Sequence, residues 1–204
     1  MVVVGLVGGI ASGKSLVGRQ LQSLGAVLIV ADQIGHEVLN SPVVRAALVQ
    51  RWGSGILDAS DRIDRREVAR RVFGPGVDAN ELRFLEQWTH PAIGARIKEE
   101  LSELAASAVV VLDAPLLLKA GWDTFCDGLV FVEVEQSLRE ARAMQRGWTV
   151  SELHARETAQ GSLEEKRQRS RWTIDNSGTQ EQTMAQVKGL WQELTRFPSG
   201  TARP

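Results

Sequence analysis

The chemistry with the clearest sequence signal lies in eight residues near the start of the chain, Gly8-Gly9-Ile10-Ala11-Ser12-Gly13-Lys14-Ser15. They satisfy G-x4-G-K-[ST]. Glycines at these spacings let the backbone curl so that successive N–H groups face a phosphate, and the helix that follows adds the positive end of its dipole. In that arrangement Lys14 reaches the β- and γ-phosphates of a nucleotide and the Ser15 hydroxyl ligates Mg2+. The other reading of these residues is a glycine-rich turn with a solvated lysine. Context favours phosphate binding, because the motif follows an apolar run and opens a helical one.

Three further features bear on what is done with the nucleotide. Asp32 closes the second apolar run, at the sheet edge that carries the phosphate loop. There it accepts a substrate proton or holds a metal-bound water, or else simply caps the next helix. Asp113 follows the apolar run Val109–Leu112. It is either the aspartate that supports Mg2+ in such proteins or a turn residue before Pro115. Arg142 and Arg146 are four apart and share a helix face. They can close over a nucleotide as arginine fingers do, or belong to an ordinary solvated face.

The elements that must position these groups follow from periodicity. Val2–Val7 is a β-branched run without polar alternation, which predicts a strand buried on both faces. Val17, Leu21 and Leu24 mark a helix that Gly25 stops, and Val27–Ala31 predicts a second strand ending at Asp32. Such a strand–loop–helix–strand unit pairs parallel strands by a right-handed crossover. Residues 32–108 read mainly as helix, with Pro42 and Pro91 each predicted to begin one, and Ile93, Ile97, Leu101 and Leu104 on one face of the second. Core strands return at Val109–Leu112 and Leu129–Val134, and charged helical sequence fills 136–170. A short strand, Trp172–Ile174, precedes a last amphipathic helix with Met184, Val187, Trp191 and Leu194, and the tail Phe197–Pro204 is expected to fray. The fold class is therefore α/β, with a parallel core interrupted by two helical excursions.

Composition narrows the partners. Across 204 residues, 24 Lys+Arg stand against 25 Asp+Glu, a net charge of −1, which argues against a general nucleic-acid binder. Residues 136–171 hold eight basic and five acidic side chains, so this stretch carries +3 and the remainder −4. The single cysteine, Cys126, cannot form an internal disulfide, and the absence of Tyr removes the phenol as a catalytic acid. No apolar run approaches the roughly 20 residues of a membrane span, and the opening residues lack the basic start of a signal peptide. A cytoplasmic protein is expected, acting as a monomer or weak homo-oligomer, with no nucleic-acid or membrane partner.

Taken in order, the motifs resemble those of the dephospho-coenzyme A kinase family. The likeness runs from Gly5 to about Gly178. It includes the phosphate loop, Ala31-Asp32, Ile63-Asp64-Arg65 followed by Val72-Phe73, His90-Pro91, Asp113-Ala114-Pro115-Leu116-Leu117-Leu118, Arg142, Arg146, Gln160 and Ile174-Asp175-Asn176. The resemblance implies a P-loop NTPase three-layer α/β/α core with a parallel sheet, a helical substrate-binding insertion and a helical lid. Residues 1–31 with 90–135 and 171–204 would form the nucleotide-binding core, 32–89 the part that binds the coenzyme A precursor, and 136–170 the lid. The implied reaction is transfer of the γ-phosphoryl group of ATP to the ribose 3′-hydroxyl of dephospho-coenzyme A, with Mg2+ as cofactor. Asp32, Lys14 and Arg142 are the implied catalytic residues. Gly9, Ile10, Ala11, Ser12, Gly13, Lys14, Ser15, Leu16, Arg142, Arg146 and Asn176 would contact ATP; Asp32, Arg65 and His90 would face the acceptor; and Ser15 would ligate the metal.

The sequence departs from the family pattern at Val30, where an acid is usual, at Leu16 for a hydroxyl, at Lys119 and Arg171 for acids, and at Arg139 for Gln. None replaces Lys14, Ser15 or Asp32, so activity is expected to survive. Two rival functions are a kinase for another small acceptor, such as a nucleoside monophosphate, and a GTP-binding switch. Asp32-Gln33-Ile34-Gly35 matches D-x-x-G, but it follows the phosphate loop too closely, and no N-K-x-D motif occurs.

Overall fold

A computed structural model of the chain describes residues 1–74 and 76–196, so the tail 197–204 lies outside the described residues. The elements run β1 (Val2–Gly8), α1 (Lys14–Ser23), β2 (Val27–Val30), α2 (Ala31–Val38), α3 (Pro42–Trp52), α4 (Arg65–Phe73), α5 (Ala79–Ser102), β3 (Val109–Asp113), β4 (Gly128–Glu133), α6 (Gln136–Gln145), α7 (Val150–Ala159), α8 (Leu163–Gln168), β5 (Trp172–Asp175) and α9 (Gln180–Arg196). They form two compact units. One comprises residues 1–30 and 103–204 and the other residues 31–102.

The first unit is a five-stranded sheet in the order β2-β3-β1-β4-β5, with every neighbouring pair parallel. Every residue of β1 is buried, as an apolar run at the centre of a two-faced sheet requires. On one face Val4, Leu6, Val111, Val130 and Val132 pack with Val17 and Leu21 of α1 and with Val187, Leu190 and Leu194 of α9. The expected period of α1 is thus its buried stripe. In α9 the buried positions are Thr183, Val187, Leu190 and Leu194, while Met184 and Trp191 pack half-exposed at the margin. The charged stretch after β4 forms three short helices, interrupted near Gly147 and Gly161. α8 packs against β1.

The second unit is helical, with α5 packing on α2, α3 and α4. Pro42 begins α3 as expected, at the position where a missing N–H costs nothing. Pro91 does not begin a helix. It lies inside α5, which runs unbroken from Ala79 to Ser102. Its ring deprives the Gln87 carbonyl of its usual helical donor, yet the buried face Thr89, Ile93, Gly94, Ile97 and Leu101 continues past it. Packing outweighs the lost bond. Glu81 at the start of α5 accepts from Arg51 Nη2 and from Trp52 Nε1, each at 2.6 Å, and so ties α5 to α3.

Candidate active site

The site is built on the C-terminal end of β1. Beyond Gly8 the chain turns through a short loop into α1, and two glycines in it are sterically required. A Cβ on Gly8 would lie 2.6 Å from the Val132 carbonyl oxygen. Gly13 has φ +90°, and a Cβ there would lie 2.2 Å from Nδ2 of Asn176. Between them Ala11 holds a left-handed φ of 59°, a conformation that costs on the order of 1 kcal/mol in a non-glycine residue. Gly13 caps α1 without a side-chain partner, and the first turn carries no acid, so its N–H groups and dipole are presented to an anion. The Leu16 N–H is an exception, because it donates to the Gly13 carbonyl at 2.9 Å. Ile10 and Ala11 are buried against Ala143 and Leu153 of the segment 136–170.

Lys14 folds along this loop, its Nζ donating to the Gly9 carbonyl at 3.1 Å and the Gly8 carbonyl at 3.4 Å. Ser15 is the first-turn hydroxyl, and its Oγ donates to Oδ2 of Asp113 at 3.1 Å. Asp113 is 6% exposed at the last position of β3. The structure therefore joins the two residues in which sequence reasoning saw metal chemistry. A hydroxyl beside a carboxylate suits a hard divalent cation that takes its remaining ligands from phosphate and water. Among the described residues, no cluster of three or more His, Cys, Asp or Glu that could hold a metal ion is found.

Behind the loop stands Asn176, just past β5 and 3% exposed. Its Nδ2 donates to the Ser12 carbonyl at 2.7 Å, and its Oδ1 accepts from Thr183 Oγ1 at 2.9 Å. The carboxamide thus braces the loop from α9. Arg142 on α6 donates from Nη2 to the Asn176 carbonyl at 2.9 Å and from Nη1 to the Ala11 carbonyl at 3.4 Å. Asn176→Ala is expected to lower stability by about 1–3 kcal/mol, because it removes the donor to the Ser12 carbonyl and leaves the Thr183 hydroxyl only its bond to the Thr179 carbonyl. A urea midpoint equal to wild type would exclude this bracing role.

Arg139, unexplained from sequence, is buried. It donates from Nε to the Val134 carbonyl at 3.3 Å and forms an ion pair with Glu157 of α7. A Cβ on Gly9 would meet both Arg139 Nη1, at 2.9 Å, and Glu157 Oε1, at 3.1 Å, so this pair packs directly on the phosphate loop. Arg146 is exposed at the C-terminus of α6 and is not brought to the loop. Arg171 stacks on Trp172, with its guanidinium carbon 5.0 Å from the ring centroid. Burial pushes the Cys126 thiol up to about 12, which disfavours the thiolate form.

The residues expected to face the acceptor lie in the helical unit. Asp32 does not end a strand. β2 stops at Val30, the register partner of Asp113, and Asp32 is an exposed residue in the first turn of α2. Helical hydrogen bonding begins at once after the strand, and an acid there complements the dipole. The helix-terminus reading and the sheet-edge reading thus describe one position. Arg65 is exposed and opens α4, whose N-cap Asp64 accepts from the Arg66 N–H at 2.8 Å. His90 is half-buried in α5. Sequence reasoning missed Thr183 and Glu157; no motif or period marks them, and only the folded chain sets Thr183 against Asn176 and Glu157 against Gly9 of the loop.

A parallel sheet in the order 2-3-1-4-5, with a glycine loop from the central strand to a lysine-bearing helix and a Ser–Asp pair at its mouth, defines a P-loop kinase fold. Comparison with known proteins narrows this. Residues 2–182 match the family described as dephospho-CoA kinase. The dephospho-CoA kinase of Geobacter sulfurreducens is 39% identical over 202 residues, covering 97% of this chain and 100% of its own length. That of Symbiobacterium thermophilum is 38% identical over 196 residues, covering 94% and 81%. Among solved structures, TT1252 from Thermus thermophilus superposes with a TM-score of 0.77 at 34% identity, covering 95% of this chain and 97% of its own. The chain belongs to the dephospho-CoA kinase family. Among the described residues, no helix is long and apolar enough to cross a membrane.

Proposed function

We propose that this protein transfers the γ-phosphoryl group of ATP to the ribose 3′-hydroxyl of dephospho-coenzyme A, releasing coenzyme A and ADP. The bond between the 3′-oxygen and the γ-phosphorus forms as the bond from that phosphorus to the β–γ bridging oxygen breaks. The hydroxyl proton leaves to a base, and ADP carries away the bridging oxygen. The observation that carries the reading is the convergence of Lys14, the Ser15–Asp113 pair and Arg142 on one loop, in a chain whose family is named for this reaction.

Each residue has a definable task. The N–H groups at the start of α1 and the Lys14 ammonium hold the phosphate chain and offset the charge that builds on the transferred group. Ser15 and Asp113 would hold Mg2+, which on binding neutralises the phosphate oxygens. Arg142, already anchored on Ala11 and Asn176, presents its guanidinium at the loop from the segment 136–170, the proposed lid. Arg146 is assigned to the same lid, reaching ATP when it closes. Asp32 orients or deprotonates the 3′-hydroxyl. Arg65 and His90 contact the acceptor, which the helical unit binds. That unit has an apolar cavity of about 770 Å3, whose lining includes Val43, Val44, Trp88, Pro91, Ala92 and Ala95. Its size and character suit the uncharged arm of a coenzyme A precursor.

An acceptor screen tests the reading. Purified protein with Mg-ATP is expected to release ADP with dephospho-coenzyme A, and to do so poorly with nucleoside monophosphates under matched conditions. Turnover confined to a nucleoside monophosphate, or none with dephospho-coenzyme A, would overturn it.

A further inference from the structure

Arg139 stands where the family pattern has Gln, and it is 6% exposed. Its side chain turns back along the start of α6, where Nε donates to the Val134 carbonyl at 3.3 Å. Its far end pairs with Glu157, so one ion pair joins α6 to α7. Both partners rest on the phosphate loop at a single residue. A Cβ on Gly9 would lie 2.9 Å from Arg139 Nη1, 3.0 Å from its Cδ and 3.1 Å from Glu157 Oε1. Next along the loop, Ile10 and Ala11 pack on Ala143 and Leu153, with Trp148 at the margin. The two helices thus hold Gly9–Ala11 with an ionic contact at one end and an apolar one at the other.

The apolar contact is enough to explain why α6 and α7 stay on the loop. The ionic one needs another reason, because desolvating two charges offsets most of their attraction, and an apolar pair of similar volume often serves stability as well. What a hydrogen-bonded ion pair adds is direction, since its geometry admits few arrangements. Here that direction is imposed at two places with a part in phosphate binding. One is Gly9, the first residue of the loop beyond β1. The other is the turn of α6 that carries Arg142, three residues on and therefore on a neighbouring face, with Nη1 at 3.4 Å from the Ala11 carbonyl.

We propose that the Arg139–Glu157 ion pair positions the phosphate loop, holding Gly9 in the curl that receives the nucleotide and setting the turn of α6 from which Arg142 reaches Ala11. This rests on the ATP-dependent reading above. Arg139 and Glu157 are positioning residues, acting through Gly9 and Arg142. The pair organises the backbone before ATP arrives, so less ordering is left to be done on binding.

The test compares Arg139→Met, Glu157→Met, the variant carrying both, and Gly9→Ala with wild type. ATP affinity is measured by calorimetry without acceptor, turnover with dephospho-coenzyme A, and stability by thermal melting. Each single methionine variant leaves a buried charge without its partner and should melt below wild type, whereas the double variant should recover most of that loss. Its ATP affinity and kcat should nonetheless stay about tenfold or more below wild type, because the helices pack but no longer fix Gly9. The acceptor KM should remain within about threefold of wild type. Gly9→Ala alters no charge, yet its methyl would meet the guanidinium. Alone it should weaken ATP binding about tenfold, and in the double variant by less than about threefold, since the obstacle is gone. Gly9→Ala in an Arg139→Lys background, where a slender chain keeps the charge and leaves the methyl room, gives the same comparison should the double variant fold poorly. ATP affinity and kcat that return to wild type with the melting midpoint would overturn the proposal and leave the pair a purely structural one. Losses from Gly9→Ala that add in full to those of the pair would overturn it too. Wild-type protein inactive on dephospho-coenzyme A would instead sink the acceptor assignment, and the ATP affinities would still judge the pair.

Discussion

Lys14→Ala is expected to abolish phosphoryl transfer, with kcat falling by about a thousandfold or more while the protein remains folded. Lys14 is half-buried and opens α1, and its Nζ donates to the Gly9 and Gly8 carbonyls of its own loop. Alanine is a strong helix former, so α1 loses nothing by the change. What is lost is a cation placed where the β- and γ-phosphates must lie. Those two carbonyl contacts also keep the ammonium at the loop before a nucleotide arrives, so its positioning entropy is already spent. ADP release in a coupled assay gives the rate, and thermal melting checks the fold. Arginine is not a conservative replacement, because a planar fork cannot occupy the space of a compact ammonium over a backbone turn. Activity of the alanine variant within about tenfold of wild type would remove Lys14 from the phosphate site.

Asp32→Asn separates chemistry from binding. If Asp32 orients or deprotonates the 3′-hydroxyl, kcat should fall by about 10²–10⁴, the usual range for a lost general base, with little change in KM for either substrate. The substitution is nearly isosteric, and the residue is exposed in the first turn of α2, where asparagine is also well tolerated. Removing its charge there costs stability only about 0.3–1 kcal/mol through the helix dipole. A large kinetic loss with a small stability loss is therefore diagnostic. Wild-type kcat in this variant would refute the general-base role, and a raised KM with unchanged kcat would make Asp32 a binding residue only.

Legibility in the sequence followed the range of the interactions involved. β1, α1 and the phosphate loop between them were readable because a buried strand, a heptad-like apolar stripe and a glycine motif are all local patterns. β3, β4 and β5 were found within a residue or two, since apolar runs bounded by polar residues locate strands even when their pairing is unknown. Two readings failed where a competing interaction overrode a local signal. Pro91 marks a helix start by propensity, but the apolar face on both sides of it holds α5 continuous. Val27–Ala31 reads as a strand, but helical bonding claims Ala31. The site divided in the same way. Lys14, Ser15 and Arg142 carry motif or spacing signals. Glu157 acts through Arg139 and Thr183 through Asn176, and nothing in a single sequence distinguishes them from ordinary surface residues. Arg139 shows the same limit from the other side, a departure from the family pattern that its buried pair with Glu157 explains.

The helical unit enters between β2 and β3, two strands that lie side by side in the sheet. That placement has a kinetic consequence. Val30 and Asp113 are register partners, so zipping β2 to β3 requires closing every intervening residue into a loop. Closing such a loop from an unfolded chain is entropically expensive and slow, and parallel pairings are the slowest to nucleate. A helical segment rich in local contacts folds faster than that closure, and once folded it replaces a long floppy loop by a short effective one. The order of events implied is helices 31–102 first and sheet completion after. Destabilising α5 would then slow the assembly of a nucleotide site to which α5 contributes no phosphate-binding residue.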